Sequence, residues 1–558
     1  MKIPLTELGV RCHRAWQEAE LKRMQMVNVF KQLGDYARPS VDAINSTEPN
    51  QNSSKSTHRH TRLFDSTLMN SVEQHASGIK AWMSPANSFW FQVLPDDAYN
   101  GDDEVAEWHS RVSQIMERQI NLSNFHAEDF EAVIDGAAFG TRHLLITESP
   151  PGIDKPFVCQ RWDPNTFSMT ENAEGFVDGV YATKNYTPKQ AVEKFGEDMV
   201  PDSVLQKFRL KPEDASQEQY VLCIYKRQDD ERVEDSPLAE DMEIASVWIH
   251  AASKKVVRNS GHPDMPSIVS RHLKWSDTPF GIAPAIKALA DARQLNSLQC
   301  SLDLLADVAA NPRLLIPVEQ EGNVNLMPGG PTYYADPNRI PRTWGSEGTY
   351  VEGQNRVQMR RQDIERALNL DVFRTFRNIT KEITATEALE IRQEAIDLFS
   401  PVFSLMSTEH YERVLIRIFN ILLRQGYFPP VPEKMMIPIS DTEATILPPK
   451  VSFTSRMAMA ISQRHKAAID ESLQRRLNVA SIIGEAAFDD IKIPEALKLI
   501  DQGNGLPAHL HRTDEELAQL QEARRQQQAQ AQQMQMLEQA ASAAGKLKGT
   551  GVLEAATA

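Results

Sequence analysis

Two His-x-His pairs, His58/His60 and His509/His511, are the nearest this sequence comes to metal-ligand spacing. A zinc site needs three or four converging donors, and neither pair has an acid or cysteine at ligand spacing beside it. Both fall in polar, loop-like segments, so no metal is expected. The acidic pairs Asp96/Asp97, Asp102/Asp103 and Asp229/Asp230 have the chemistry to hold Mg2+ for phosphodiester cleavage. They lie among turn residues, where solvated charge is the commoner explanation. A phosphate loop would need glycines whose backbone N–H groups wrap the phosphates, followed by a lysine; no GxxxxGKS or GxxxxGKT occurs. The run Gly136 to Gly140 (GAAFG) lacks the lysine and reads as helix-end glycines. With no GxSxG elbow either, nothing argues for an enzyme, and no cofactor is expected.

The elements that carry these residues belong to a large, acidic chain. Its 558 residues correspond to roughly three to four domains at a typical domain size. Its net charge of −16 disfavours a protein whose main task is to grip nucleic acid by the phosphates. Hydrophobic residues make up 41% and charged residues 24%, ordinary globular usage. Cys12, Cys159, Cys223 and Cys300 include no CxxC pair and read as reduced core thiols of a cytosolic protein. The opening residues lack the apolar core of a signal peptide, and no run of about 18 apolar residues occurs, so neither export nor membrane spanning is expected.

Helical periodicity runs from Leu5 to about Tyr36, with Trp16, Leu21, Met24, Val27 and Phe30 as the apolar positions and Pro39 just beyond. A polar loop, Ser46 to His60, separates it from a helix at Leu63 to Trp82 and a strand through Phe89, Trp90, Phe91 and Val93. Two further helices are expected at Trp108 to Ile120 and Phe125 to Phe139. Short alternating runs from Arg142 to Ala245, continuing near Trp248 and from Val269 to Trp275, indicate a β-rich region.

Pro284 suits the first position of a helix that can run to Asn311, where Pro312 stops it. A Pro/Gly-rich stretch with strand-like fragments follows, to Gly353, and helix resumes from about Asn355 to Phe376. After a polar break from Arg377 to Ala385, Thr384 and Glu387 have capping-box spacing for a helix reaching Leu423, with a kink expected at Pro401 and a stop at Gly426. A strand is expected at Lys450 to Phe453, then helices from Arg456 to Val479 and from Ala480 to Ile500. The last segment, opened by a capping-box match at Thr513 and Glu516, is rich in glutamine; it reads either as a solvated helix beside copies of itself or as a partly disordered tail.

Several blocks then coincide in order: RAWQEAELKR followed by Tyr36 and Pro39, Leu63 to Phe91, Asn124 to Ile146, Pro279 to Leu315, Ile383 to Glu394 (ITATEALEIRQE), and the Gln-rich end. Over nearly its whole length the chain resembles the portal, or head-to-tail connector, proteins of T7-like short-tailed bacteriophages, the podovirus type. The resemblance implies an α+β, mainly helical portal fold of wing, stem, clip and crown, assembled as a dodecameric ring with an axial channel. Carried over, residues 1–280 are wing, comprising a helical N-terminal part and a β-rich part at about 142–275. Residues 281–311 are a first stem helix, 312–353 the clip, 354–376 a second stem helix and 377–385 a tunnel loop; 386–479 hold a long helix and the return to the wing, and 480–558 the crown with its Gln-rich helix or tail.

The implied function is a channel for viral DNA packaging and ejection at one capsid vertex of the virion, assembled in the host cytoplasm. Implied partners are further copies of the chain, the terminase large subunit, scaffolding protein, major capsid protein, a tail adaptor, and double-stranded DNA passing without sequence specificity; no membrane is involved. Near the implied constriction, Arg374, Arg377 and Lys381 are candidates for DNA contact, the alternative being that they only complement a helix dipole. In the implied clip, Tyr333, Tyr334, Arg339, Arg342 and Trp344 have the residue types of interface hot spots and are candidates for binding terminase or adaptor, the alternative being subunit contact within the ring. The aromatic group Trp82, Phe89, Trp90 and Phe91 is expected in the wing core. The competing functional class is a Mg-dependent nucleic-acid-processing enzyme using the loop carboxylates.

Overall fold

A computed structural model describes residues 2–39, 63–96, 102–149, 155–233, 236–276, 278–310, 313–315, 342–344, 350–375 and 399–438, with short stretches at 318, 444–446, 449–454, 472–478, 497 and 522–526. The chain divides into two compact units. One comprises residues 1–90, 116–427 and 455–461, the other residues 91–115, 428–454 and 462–558.

In the first unit, helix α1 (Leu5–Tyr36) lies on a five-stranded antiparallel meander. Its strands are β4 (Phe167–Glu171), β5 (Val177–Tyr186), β6 (Glu218–Lys226), β7 (Ile244–His250) and β8 (Val256–His262), paired in that order. Alternation along each strand sends one set of side chains to α1: Tyr181, Val221, Cys223, Val247 and Ile249 pack with Leu8, Cys12 and Ala19. The opposite set includes Tyr186, Tyr220 and Trp248, whose rings meet Phe195 of a short helix, α5 (Pro188–Phe195). The apolar stripe expected for α1 is rotated. Val27 and Phe30 are buried as expected, but Leu21 and Met24 face outward, because Leu8, Cys12, Ala19, Met26, Phe30 and Leu33 form the i+3/i+4 series that meets the core.

A second, three-stranded sheet has the order β3 (Phe157–Arg161), β2 (Thr141–Glu148), β9 (Ser267–Arg271). Helix α4 (Phe125–Phe139) packs against β2 and β3, ending at Gly140 in the left-handed conformation, so the GAAFG run is the helix end the sequence indicated. Helix α2 (Thr67–Met83) packs on α4. From this body the chain enters a long helical hairpin, α7 (Pro284–Ala310) and α8 (Tyr350–Ala367). Leu295, Val357 and Ile364 are buried along it. A Cβ at Gly353 would lie 2.5 Å from Leu302 Cδ2, so the absence of a side chain there permits the close crossing. Arg360 locks the register by donating to Asp291 at 2.8 Å.

Three differences from the periodicity are informative. Helix α8 begins at Tyr350 rather than Asn355, and it does not run unbroken to Phe376. It ends near Leu368, Asn369 adopts φ 54°, and a separate short helix, α9 (Leu370–Thr375), follows. Asn is among the few non-glycine residues that enter the left-handed region at low cost, so one residue breaks an apolar repeat that looks continuous. Helix is present at 399–406, Pro401 included, and a π-turn at Ser407–Tyr411 follows, ahead of α10 (Glu412–Arg424). The stop at Gly426 is as expected, with φ 70°. Helices α5 and α6 (Asp202–Leu210) stand within the region read from sequence as β-rich.

The second unit contains β1 (Phe91–Leu94) paired antiparallel with a C-terminal strand, Lys450–Phe453, Phe91 opposite Phe453. Helix α3 (Asp103–Leu122) starts in this unit, where Trp108 is buried, donates to the Pro429 carbonyl at 3.2 Å and meets Phe428 edge-on. Strands β10 (Arg313–Leu315) and β11 (Arg342–Trp344) of the first unit pair antiparallel. In the expected aromatic core group, Trp90 and Phe91 are fully buried, whereas Trp82 is half-buried and Phe89 exposed. The helices expected at 456–479 and 480–500 lie largely outside the described residues, as does most of the Gln-rich segment; 472–478 and 522–526 are helical.

Candidate functional site

The loop implied between the stem and the long helix is framed by residues that meet. Phe373 of α9 and Phe399 have ring centroids 5.6 Å apart at 73°. His75 of α2 touches both, at 5.5 and 6.3 Å, and Trp82 packs edge-on against Phe373 at 5.4 Å. Gly78 makes room for this cluster: a Cβ there would fall 2.5 Å from the Phe373 ring. The chain therefore departs and returns at one aromatic knot on α2. Of the candidate channel residues, Arg374 lies in α9, while Arg377 and Lys381 fall outside the described residues. So does the capping pair Thr384/Glu387.

Of the candidate docking residues, Arg342 and Trp344 stand on β11, opposite Leu315 and Arg313 respectively. Tyr333, Tyr334 and Arg339 are outside the described residues. The hairpin α7/α8 thus presents the segment between its helices from a braced pair of rods, with β10 and β11 pairing within that segment.

Behind the aromatic knot, the π-turn forms the hub of a buried polar network. A π-turn widens a helix by one residue and changes which side chains face inward. Here it turns Glu409, His410 and Tyr411 all into the core. Glu409 accepts from the Arg271 guanidinium at 2.7 Å and from the Arg271 backbone N–H at 3.1 Å. Arg271 in turn holds Glu171 and the Gly175 carbonyl of the β4–β5 turn. His410 Nε2 donates to Asp129 of α4 at 2.7 Å, and the Ser270 hydroxyl donates to Nδ1 at 3.3 Å, a pattern that fits the neutral imidazole. Tyr411 donates to Asp129 and accepts from Ser84, while Lys80 of α2 is ion-paired with Asp129.

Asp129 and His410 are both wholly buried. Burial pushes the Asp129 carboxyl up, but Lys80 and His410 outweigh it and hold the group well below the usual carboxylate range. Burial lowers the His410 pKa in spite of Asp129. The charges at this hub thus include two buried ion pairs, Lys80–Asp129 and Arg271–Glu409, the first of them oriented by neutral donors. Nothing in the sequence pattern singled these residues out. The available signal was Asp129 itself, an acid on the Ala132, Val133, Gly136 face of a mostly apolar helix.

A separate buried acid, Glu117 of α3, bonds only Asn121 through one oxygen, and burial pushes it up to about 7. A carboxyl whose folded pKa is raised stabilises the fold fully below its ordinary value of 4.5, and that contribution is lost as pH rises through about 7. Glu117→Gln is expected to flatten this decline, giving a protein about 1–3 kcal/mol more stable than the parent at pH 8 in urea unfolding. Equal losses of stability from pH 5 to 8 in both proteins would contradict it.

The residues considered for metal chemistry do not assemble. Asp96 pairs with Lys450 at 3.4 Å, Asp102 with Lys434 at 2.7 Å and Asp230 with Arg11 at 2.9 Å. Among the described residues no group of three His, Cys, Asp or Glu side chains could hold a metal ion, and no helix is long and apolar enough to cross a membrane. Asp97 and both His-x-His pairs lie outside the described residues. All four cysteines are free; Cys12, Cys159 and Cys223 are buried, but Cys300 is half-exposed on α7, so it is not the core thiol expected.

The described residues thus form a mainly helical α+β chain with a long helical hairpin and a buried polar network. Residues 10–511 match the family described as bacteriophage head to tail connecting protein, and the chain belongs to that family. It is similar to the probable portal protein of Bordetella phage BPP-1, with 24% identity over 434 residues, covering 75% of each chain. It is accordingly a structural, non-enzymatic protein of the phage virion's head-tail junction, with portal or head-tail connector function and capsid and tail partners. The nucleic-acid-processing alternative is set aside.

Proposed function

We propose that this connector works as a ring, twelve copies enclosing an axial channel, with residues 1–280 in the wing, 281–311 and 354–376 as the stem helices, 312–353 as clip, 377–385 as tunnel loop, 386–479 as the long helix and return to the wing, and 480–558 as crown. In this reading it belongs to a T7-like short-tailed phage. It nucleates procapsid assembly with scaffolding and major capsid protein, docks the terminase large subunit during packaging, and then receives the tail adaptor. The observation that supports the reading is the order of parts: a helical hairpin is followed by a segment whose flanking residues, Phe373 and Phe399, pack against each other. Such a contact holds together the two points between which the proposed tunnel loop lies.

The charge balance supports a passage role. A net −16 per chain gives DNA little reason to adhere, so a few basic side chains, Arg374, Arg377 and Lys381, can touch it without creating a deep electrostatic well. The clip residues Tyr333, Tyr334, Arg339, Arg342 and Trp344 are assigned to terminase or adaptor docking on residue type. Electron microscopy and native mass spectrometry of the purified chain provide the test. A ring of about a dozen subunits with an axial hole is expected; a stable monomer across a range of salt would overturn the proposal.

A further inference from the structure

A third cation lies in the buried polar layer beside the two ion pairs, and no counter-ion meets it there. Arg142 of β2 is 1% exposed. It stands directly opposite Ser270 of β9, so the two side chains share one face of the sheet, the face on which the Ser270 hydroxyl reaches His410. Helix α4 closes over it at Gly136, where a Cβ would crowd the guanidinium at 3.1 Å from Nε. Yet Nε and Nη1 have no hydrogen-bond partner among the described residues. The buried carboxylates are already taken, Asp129 by Lys80 and Glu409 by Arg271. Nor is Arg142 the only bare group. His272 follows Arg271 at the end of β9, its backbone N–H donating to the Gly140 carbonyl at 2.9 Å, and its Nδ1 has no partner among the described residues.

We propose that Arg142 holds a small inorganic anion of halide size, enclosed between β2, β9 and α4. A guanidinium does not give up its proton, so burial leaves a full positive charge to be met. Burial opposes that charge, and Tyr411, Asp129 and Glu409 are the groups that favour it. The two carboxylates, however, spend their hydrogen bonds on Lys80, His410 and Arg271. An uncompensated charge in a protein interior is among the costliest features a fold can keep. A water molecule would satisfy the bare donors and leave the charge, whereas an anion answers both. The enclosure favours a compact ion over an organic acid, whose tail would have no way out. His272 can offer an Nδ1–H as a second donor. The anion would fasten the end of the three-stranded sheet to α4, so its binding is read as stability.

The test uses the full-length protein exchanged into sodium gluconate and titrated with sodium bromide at constant ionic strength. The first thermal transition should rise saturably, by on the order of 5 °C at about a hundredfold excess over the half-saturating concentration. In Arg142→Met, which keeps a long side chain without the charge, that response should vanish. Crystals of the parent grown in bromide should show an anomalous peak within hydrogen-bond reach of the Arg142 guanidinium. If the methionine variant does not fold, this peak decides alone. A water without anomalous signal at Arg142, or an equal bromide response in parent and variant, would overturn the proposal. Neither readout depends on subunit number, so the site stands or falls apart from the ring.

Discussion

Replacing Asp129 with alanine is expected to destabilise the protein by about 3–5 kcal/mol, the usual cost of stranding one member of a buried ion pair. Asp129 has no solvent exposure and accepts from Lys80, His410 and Tyr411, so its loss leaves a nearly buried ammonium and two donors without their acceptor. Asp129→Asn should cost less, because an amide oxygen can still receive His410. The pH dependence separates this from simple cavity formation. Since the folded-state pKa of Asp129 is depressed, its stabilisation is present above the ordinary carboxylate value and is lost as pH falls through the lowered one. His410, also depressed, resists protonation in the fold and withdraws stability as pH drops below 6.5. Because Asp129 is the neighbour that raises the His410 pKa, urea titrations from pH 7 to 4 should show the alanine variant losing more on acidification than the parent. Parallel curves would mean the pair is not what holds this hub.

The second large effect concerns the passage. Reversing Arg377 and Lys381 together to glutamate is expected to reduce DNA-filled heads about tenfold or more, each reversed solvated contact being worth roughly 1 kcal/mol at 4 Å and recurring as DNA advances. Assembly of the purified protein should be unaffected, as read by mass and by particle images. Normal yields of filled, stable heads from the double variant would remove these residues from the channel wall.

Periodicity and punctuation revealed most helices because their signals are local. Pro284 and Pro312 bracket α7, and α4 fills its expected Phe125–Phe139 span. The misses share a different cause. The break at Asn369 depends on one residue accepting a left-handed conformation inside an apolar repeat, and the π-turn depends on what Glu409, His410 and Tyr411 find across from them. Helix α5 had its signal in view, a Thr187/Gln190 capping box around Pro188, but it stands among strands and was absorbed into their texture. The polar hub was illegible for a deeper reason: Asp129 and His410 lie 281 positions apart, and no spacing rule joins them. The candidate channel and docking residues, by contrast, came from resemblance to a family, and residue type alone does not distinguish a DNA contact from a helix-end charge.

The knot of Phe373, Phe399 and His75 has an evolutionary corollary. A stretch of chain whose two feet share one foundation can gain or lose residues without disturbing the masonry beneath, since doubling a loop costs only about 0.6 kcal/mol in closure entropy. The length of the segment between Phe373 and Phe399 could therefore change by mutation in that segment alone, leaving hub, hairpin and sheets to be inherited unchanged.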